Sequence, residues 1–488
     1  MLIETRRRKP PHLWLVRLLA MMAGLTLLFW LFLVYSADAA AQDNTSPSES
    51  GLSESGLSET GMSETDKGPV GAEAPAADAM LSQAFASIQG HPAVTAMRAE
   101  ICQAASQFDI ARAGRLPQIG FTMTGGKPLS GNTHRRDVKT CAYDDGDQAL
   151  DAVIRLNQTV YDWGYGEAEE AIASNSRAAA LIGLRIETER VAGDLVSLAL
   201  EIRLQENRAK HFRRLEKTVA EIAARVQQRI DAGAGRLSEL REARLMVLVA
   251  EIQAATADRK RDLAIGELQQ RFRLTPQQAA PLVDRYLARK PAVIDPVASE
   301  TVRIIRRLDL QLASNALNIT KLKAEKRPRL SGTLQSTLYD VDNNNGEYEV
   351  VGKLEMTMPL YDGGSNAARR RETAWIAAGI RSERENAIRD HSTQTQGMIR
   401  QLGEMRANIE ETEDKLVEQR QKLVSIKARE GQTQSDPLAI ARAETEIAVL
   451  ENALITYNNT IALLLLRGLV LADRLSQALD IPLGGPEC

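Results

Sequence analysis

Side chains that could carry chemistry are present in this sequence, but they are scattered. No histidine has the short spacing to a second ligand that a zinc site needs; the five are His12, His91, His134, His211 and His391. No glycine-rich phosphate loop follows a strand, and Gly363 and Gly364 lack the rest of any nucleotide-binding fingerprint. We therefore expect no catalytic site, no cofactor and no bound metal, and hence no enzyme.

Charged residues make up 26% of the 488 residues and nearly cancel, at a net charge of −3. Nucleic-acid-binding domains usually carry a basic excess, so we expect no nucleic-acid partner. Acidic and basic residues alternate over 166–230 and 365–430, as on a solvated helix face with i,i+4 pairs. An aromatic content of 4% is typical of long helices, while 44% hydrophobic residues exclude global disorder.

The first 41 residues are predicted to be an export signal. A basic segment precedes the apolar residues 18–34, and small residues with A-x-A spacing follow at Ala37–Ala41. The alternative is an uncleaved anchor, since the apolar run is long. Residues 42–79, rich in Ser, Glu and Gly, are predicted to be a disordered linker.

The cysteines are Cys102, Cys141 and Cys488. An exported chain could pair two of them, but an odd count without regular spacing does not indicate a disulfide framework. We therefore expect them to be unpaired or incidental.

A four-residue motif occurs twice, 200 positions apart: Tyr161-Asp162-Trp163-Gly164 and Tyr361-Asp362-Gly363-Gly364. Each copy follows an alternating, strand-like stretch and opens a long helical stretch. Asp162 and Asp362 are candidate N-caps, and Gly164, Gly363 and Gly364 permit a tight turn. This self-similarity predicts two tandem units, residues 80–290 and 291–480, followed by a tail at 481–488.

Within each unit the pattern predicts a helix, two strands, a long helix and a second helix. The predicted ranges in the first unit are a helix at 80–115, with His91-Pro92 at its first turn or breaking it, strands at 119–124 and 153–161, and helices at 166–230 and 236–272, with Thr275-Pro276 and Pro281 closing the unit. Those in the second are a helix at 300–326, strands at 330–339 and 348–360, and helices at 365–430 and 437–478.

The long helices carry coiled-coil seams of apolar residues spaced mostly four and three apart. The seam residues are Leu215, Val219, Ile222, Val226 and Ile230, then Met398, Leu402, Met405, Ile409, Thr412 and Leu416. No stretch after residue 40 has 18 consecutive apolar residues, so we expect no second membrane helix.

Glycines break each long helix, at Gly233 and Gly235 in the first unit and at Gly431 in the second. The following segments align with an offset of 198: each has a polar cap candidate, Ser238 or Asp436, with Leu two positions on. The long helices therefore have nearly equal lengths, as they must if all helix tips end at one level.

Four strands per chain cannot close a barrel around a pore, and a membrane barrel leaves no open edges. Three chains would contribute twelve strands, an allowed barrel size. The shorter helices, stacked end to end, would give each chain four helix lengths. We therefore predict a trimer.

On these features the chain resembles the TolC-like family of bacterial outer-membrane efflux and secretion channels, over about residues 80–480. The resemblance implies a mainly α-helical fold with a membrane β-barrel: a homotrimeric, twelve-stranded barrel in outer-membrane lipid, continued by a coiled-coil tunnel through the periplasm. It also implies docking on a periplasmic adaptor bound to an inner-membrane pump or ABC transporter. Tyr161 and Tyr361, with Trp163 and Tyr165, would lie near the inner interface of the outer membrane.

The family often closes the periplasmic tip with acidic residues at the second break. Here Asp436, with Glu430 nearby, would form a cation-attracting constriction around the trimer axis, or it caps the last helix before Pro437. The run from Gln432 to Ser435 departs from the family's usual aromatic and acidic pattern.

The predicted function is a passive exit duct of a tripartite efflux pump or type I secretion system, opened when an adaptor docks on the tip. Drugs, metal ions and secreted proteins are cargo alternatives that the resemblance leaves open. One rival is an inner-membrane-anchored periplasmic adaptor with coiled-coil hairpins. Another is a structural coiled-coil protein of the envelope. The matched strand pairs in both units argue against these two.

Overall fold

The computed structural model describes residues 74–126, 149–294, 301–339, 341, 348–429, 436–482 and 488. They form two units: a sheet unit from residues 118–157 and 332–354, and a helical unit that contains the other described residues. The predicted export signal, the linker before residue 74, Cys141 and Gly431 lie outside the described residues.

The elements follow the same order twice. After α1 (Ala74–Gln89), the first copy consists of α2 (Pro92–Ala113), β1 (Gln118–Gly126), β2 (Ala149–Tyr161), α3 (Tyr165–Asp231) and α4 (Leu237–Phe272). After α5 (Pro276–Arg289), the second copy consists of α6 (Arg303–Ala324), β3 (Arg329–Leu338), β4 (Tyr348–Thr357), α7 (Ser365–Arg429) and α8 (Pro437–Leu471), and α9 (Leu475–Leu479) follows.

Corresponding helices in the two copies have nearly equal lengths. The helices α2 and α6 both have 22 residues, α3 and α7 have 67 and 65, and α4 and α8 have 36 and 35. Each long helix therefore extends about 100 Å at 1.5 Å per residue. The predicted long helices, 166–230 and 365–430, agree with these bounds to one residue at each end.

Of three predicted helix boundaries, the structure decides one that the sequence left open and differs from the other two. His91-Pro92 breaks the first helix, because the His91 ring accepts a bond from the Ala93 amide and Pro92 opens α2. Thr275-Pro276 was expected to close the first unit but begins α5, through a capping box between Thr275 and Gln278; Pro281 lies inside that helix. The helix predicted to reach residue 478 ends at Leu471, and α9 starts separately.

The helix α3 is the central element of the helical unit. It packs against α2, α4, α5, α6 and α8, while α7 packs against α6 and α8. The predicted seam explains this packing: Val219, Ile222 and Val226 on α3 are at most 2% exposed, and Leu402 and Leu416 on α7 are buried. The chain thus forms two long helical hairpins, α3 with α4 and α7 with α8.

The helix α8 bears on the expectation that no second membrane helix follows residue 40. Among the described residues it is long and apolar enough to cross a membrane, judged by length and composition alone. Its buried side chains, such as Ile440, Ile447 and Leu466, pack within the helical unit. The helix has no uninterrupted run of 18 apolar residues, because charged and polar residues such as Glu451, Asn458 and Arg467 interrupt it.

The four described strands form one sheet in the order β1-β2-β3-β4, with β1 and β2 antiparallel. The register places Phe121 opposite Ile154 and Met123 opposite Ala152, so one face is apolar, whereas Thr124 pairs with Asp151 on the other. Val153, where the second predicted strand was expected to begin, pairs with Thr122 on the polar face. The apolar face is exposed: Phe121, Leu354 and Met356 are 63%, 70% and 71% accessible.

The cysteine prediction is wrong for two of the three residues. Cys102 on α2 and Cys488 form a disulfide with Cα atoms 5.4 Å apart, although 386 positions separate them in sequence. Spacing along the chain could not reveal this pair because only the fold brings the two residues together. By the chain-entropy argument, a bridge closing so long a loop stabilises the folded state at the upper end of the usual range.

A buried ionic cluster joins the two copies of the repeat. Glu189 on α3 is 1% exposed; it accepts bonds from the Ser476 amide at 3.0 Å and the Ser476 hydroxyl at 2.5 Å, and from Arg303 at 3.2 Å. Asp473 accepts from the Arg303 amide at 2.8 Å and so serves the N-terminus of α6, while burial raises the pKa of Asp473. This cluster connects α3, α6 and α9.

We predict that Glu189→Ala lowers the free energy of unfolding of the helical unit by roughly 3–5 kcal/mol, because it leaves Arg303 and the Ser476 donors without their buried acceptor. Guanidinium unfolding in detergent, followed by circular dichroism, measures this change. Glu187→Ala is the matched control: this carboxylate bonds Arg190 on the same helix, where its side chain is 22% exposed. Equal losses in the two variants would contradict the prediction.

Candidate functional site

The two Tyr-Asp turns have the same hydrogen-bond geometry. The Asp162 carboxylate accepts from the Gly164 amide at 3.1 Å and the Gly166 amide at 2.8 Å. The Asp362 carboxylate accepts from the Gly364 and Asn366 amides, both at 3.0 Å. Each aspartate therefore satisfies amides at the start of a long helix that would otherwise lack partners.

The aspartates are not the N-cap residues that the sequence predicted. The N-cap of α3 is Gly164, which forms no side-chain cap bond, and Asp162 lies two residues before it. The prediction is wrong in position because the two carboxylate oxygens reach forward across the turn. In the second copy, the amides of Asn366 and then Gly364 lower the pKa of Asp362, since both bonds favour the charged form.

Each turn needs two successive residues with left-handed backbone. In the second copy these are Gly363 and Gly364, with φ of 64° and 85°, where glycine has no steric penalty. In the first copy they are Trp163 and Gly164, with φ of 59° and 82°. A side chain at the first position is strained by roughly 1–2 kcal/mol, so Trp163 must gain compensating contacts.

Trp163 makes those contacts with the other copy of the repeat. Its indole N–H donates to the Pro328 carbonyl at 2.8 Å, the Arg327 guanidinium lies 4.8 Å from its ring centre, and Tyr161 packs edge-on at 4.9 Å. Tyr165 lies under Lys321 and Arg329, at 4.8 and 4.6 Å. Trp163 and Tyr165 therefore link the first turn to residues 321–329. Their predicted role at a membrane interface stays a prediction.

The two motif tyrosines differ in exposure. Tyr361 is 90% accessible, whereas Tyr161 is 53% accessible and packs against Trp163. The placement of both tyrosines at a lipid boundary stays a prediction.

The tip of the first hairpin has a tight turn at Gly233–Gly235. Gly233 has φ of 71°, and a Cβ on Gly235 would lie 2.8 Å from the Ile230 side chain. Ser238 was predicted to cap α4, but the N-cap residue is Arg236, without a side-chain bond, and Ser238 is exposed within the first turn. The helix begins earlier than the alignment with the second copy suggested.

The second hairpin restarts at Asp436, whose side chain accepts from the Leu438 amide at 3.1 Å while Pro437 occupies the first helical position. The cap interpretation of Asp436 is therefore observed. The constriction that it would form around a trimer axis stays a prediction, and Gly431 and Glu430 lie outside the described residues.

A bidentate ion pair links the tips of the two hairpins. Arg442 on α8 donates to Glu242 on α4 at 2.6 and 2.7 Å, and Leu438 packs with Ala243 and Ala223 nearby. The bond from Arg442 lowers the pKa of Glu242, and the bond to Glu242 raises that of Arg442. Sequence reasoning missed this pair, although Glu242 lies in the first of the two aligned segments and Arg442 directly follows the second, which ends at Ala441.

The described histidines have structural contacts. His91 caps α2, and the buried His211 lies 2.8 Å from the Ala448 carbonyl. In the described part of the chain, no three His, Cys, Asp or Glu side chains converge as metal ligands. The candidate functional features of the described residues are the two Tyr-Asp turns, the coiled-coil seams and the hairpin tips.

The family model described as outer membrane efflux protein matches residues 86–271. No curated protein matches the chain by sequence. Solved structures match over most of their length. VceC from Vibrio cholerae is 14% identical with a TM-score of 0.67, covering 85% of this chain and 97% of VceC. The CmeC channel of Campylobacter jejuni is 11% identical with a TM-score of 0.67, covering 88% and 94%. The open-state MtrE channel of Neisseria gonorrhoeae is 15% identical with a TM-score of 0.63, covering 82% and 88%.

These comparisons confirm the resemblance that the repeated motif predicted: the chain has the fold of outer-membrane efflux channels, and residues 86–271 carry that family's sequence pattern. The predicted location, the bacterial outer membrane with an extension into the periplasm, agrees with the family match.

We predict that Asp362→Asn loosens the start of α7, because an amide offers one acceptor oxygen where the carboxylate uses two. Since the pKa of Asp362 is lowered, its stabilisation is complete above the unfolded-state value of about 3.9 and is lost as pH falls through the lower folded value. Hydrogen-exchange protection of the Gly364 and Asn366 amides, measured between pH 2 and 6, should fall at the acid end in the wild type and be low throughout in the variant.

The matched control is Asp390→Asn, which removes an exposed carboxylate from the same helix. Its exchange profile at residues 364–366 should follow the wild type. Protection at these amides that is unchanged by Asp362→Asn at every pH would contradict the prediction.

Proposed function

We propose that this protein is the outer-membrane exit duct of a tripartite efflux pump or a type I secretion system, and that it works as a homotrimer. It passes substrate without chemical change, and the energy comes from an inner-membrane partner. The observation that carries the proposal is the sheet, because its exposed surface suits lipid and its edges require further strands.

The sheet has one apolar face and one polar face, which is the alternation of a membrane barrel. Side chains such as Phe121, Leu354 and Met356 are exposed on it to a degree that is unusual in a water-facing sheet. Within the described residues, β1 and β4 are both edge strands. Backbone groups on open edges cannot remain unpaired in lipid, so copies of the chain must supply the missing neighbours, and three copies give twelve strands.

The helical hairpins support the proposal through their matched lengths. The helices α3 and α7 have 67 and 65 residues, and α4 and α8 have 36 and 35, so each chain provides two hairpins of similar length. Three chains would supply six such hairpins for a tunnel wall. Exposed apolar residues on them, including Leu245, Leu248 and Val449, suit packing between copies.

The tip suits a gate that an adaptor can open. Each hairpin has its own cross-links, such as Lys427 to Glu444 at 2.8 Å, whereas Glu242 and Arg442 join one hairpin to the other. Separating the hairpin tips breaks this exposed ion pair, which is of small net stability, and the apolar contact of Leu438 with Ala223 and Ala243, and it leaves the cross-links within each hairpin intact. In this proposal, adaptor docking supplies the energy for the step.

The test of the proposed function is fractionation with heated and unheated gels. We expect the protein in the outer-membrane fraction, with a trimer band that persists in detergent at room temperature, dissociates on heating and is recovered by cross-linking. A monomer in the inner-membrane fraction that retains its first 41 residues would overturn the proposal and favour the adaptor.

We predict that Glu242→Gln raises single-channel conductance or open time in planar bilayers, because it removes the bidentate bond between hairpins. The swap Glu242→Arg with Arg442→Glu should restore the closed behaviour by rebuilding the pair with reversed polarity. Lys427→Gln is the control, since it breaks a pair of similar exposure inside one hairpin. If Lys427→Gln raises conductance as much as Glu242→Gln does, or if the charge swap does not reverse the rise, the proposed closing role of the Glu242–Arg442 pair is contradicted.

A further inference from the structure

The two copies of the repeat carry opposite charge where the strands meet the long helices. Residues 321–329 contain five basic residues and one acidic residue, and residues 369–371 are three successive arginines. In the first copy the equivalent start of α3 has no basic residue but three glutamates, at positions 167, 169 and 170. Fold alone does not require this difference, because the two turns have the same geometry.

In the first copy the charges are neutralised within the chain. Glu170 accepts from Arg115 at 2.5 Å and Glu169 from Lys321 at 2.9 Å, so the acidic start of α3 is paired with the ends of α2 and α6. The acidic residues also suit a helix N-terminus.

In the second copy an excess of positive charge remains. Arg369 lies 3.7 Å from Glu325, but Lys323, Arg370 and Arg371 are exposed and make no ion pair with any described residue. Three arginines near the start of α7 gain nothing from the helix dipole, which favours acidic residues there.

These cations lie on the same helix ends and turns as four aromatic residues. The Asn366 side chain donates to the Leu322 carbonyl at 2.7 Å, which holds the start of α7 against the end of α6. Arg327 lies over Trp163 and Arg329 over Tyr165. Tyr361 and Trp375, 90% and 76% accessible, are on the same stretch of α7 and its turn. We call this surface the basic collar; it comprises Lys323, Arg327, Arg329, Arg370 and Arg371 with these four aromatic residues.

We propose that the basic collar binds the phosphodiester headgroups of anionic phospholipids in the periplasmic leaflet of the outer membrane. The inference rests on the proposed function, which puts the strand-to-helix turns at that leaflet. Aromatic rings with a polar tip favour the boundary between headgroups and acyl chains, and lysine and arginine clusters beside a membrane attract anionic lipid. Arginine also offers paired donors to phosphate oxygens.

The collar would fix the height of the channel in the bilayer. Lipid headgroups on it neutralise the unpaired cations, and the adjacent rings reach the acyl chains. The first copy, already neutralised internally, needs no lipid.

The test uses Trp163 as the reporter. The chain has four tryptophans, so Trp14→Phe, Trp30→Phe and Trp375→Phe leave Trp163 alone. The trimer is reconstituted in phosphatidylcholine vesicles that contain increasing fractions of brominated phosphatidylglycerol or, in parallel, brominated phosphatidylcholine. We expect stronger quenching by the glycerol lipid, equivalent to an enrichment of about fivefold or more, the factor that one nearby cation produces.

The variant Lys323→Gln with Arg370→Gln and Arg371→Gln should abolish this preference and keep the trimer band. The matched control is Lys217→Gln with Arg241→Gln and Arg400→Gln, which removes the same residue types from exposed positions elsewhere and should keep the preference. Equal quenching by both brominated lipids, or loss of preference in both triple variants, would overturn the collar while leaving the membrane position intact. Absence of quenching by either lipid would overturn the membrane position itself, and with it the proposed function.

Discussion

The structure depends on one constraint: every backbone hydrogen-bonding group in a membrane-facing sheet needs a partner. The described strands satisfy each other only internally, in the order β1-β2-β3-β4, so the outer sides of β1 and β4 have no partner within the sheet. Its apolar face is exposed as well. The proposed ring of identical copies meets this constraint, since a symmetric closure leaves no edge. The trimer is thus argued from backbone chemistry.

The proposed symmetric closure would also account for the nearly equal helix lengths in the two copies of the repeat. If the copies of the chain form one wall, helices that are unequal in length would leave ragged ends, and α3 and α7 differ by only two residues over about 100 Å. Within a chain, the two copies of the repeat are joined by apolar packing between α3 and α8 and by two polar contacts. Glu189, Arg303 and Ser476 form a buried ionic cluster, and Glu242 with Arg442 forms an exposed ion pair at the tips. The buried cluster is costly to break and the exposed pair is not, which is why the proposed opening is assigned to the tip.

The apolar periodicity and the positions of proline and glycine were sufficient to predict the long helices. Apolar spacing along α3 and α7, and prolines and glycines at their neighbours, gave bounds within one residue for both long helices. The errors involve information that is not local. The bond between Cys102 and Cys488 spans 386 positions, and the pairing of Glu242 with Arg442 spans 200. The start of α5 was local and readable, because Thr275, Pro276 and Gln278 form a capping box; proline was interpreted there only as a terminator. The N-cap error arose because a carboxylate can reach amides two and four residues ahead.

The duplicated unit is informative chiefly where its copies diverge. Backbone geometry is retained at both Tyr-Asp turns, including two successive left-handed residues, so this geometry is what the architecture requires. The side chains are free to differ. In the first copy Trp163 replaces glycine at a strained position and is anchored by Pro328 and Arg327. In the second copy the turn is bare glycine and its long helix begins with Arg369, Arg370 and Arg371 instead of acidic residues. The acidic residues of the first copy are paired with basic residues of the chain, whereas basic residues of the second copy stay exposed and unpaired among the described residues. The second turn is therefore the one to which we assign the anionic phospholipid headgroups.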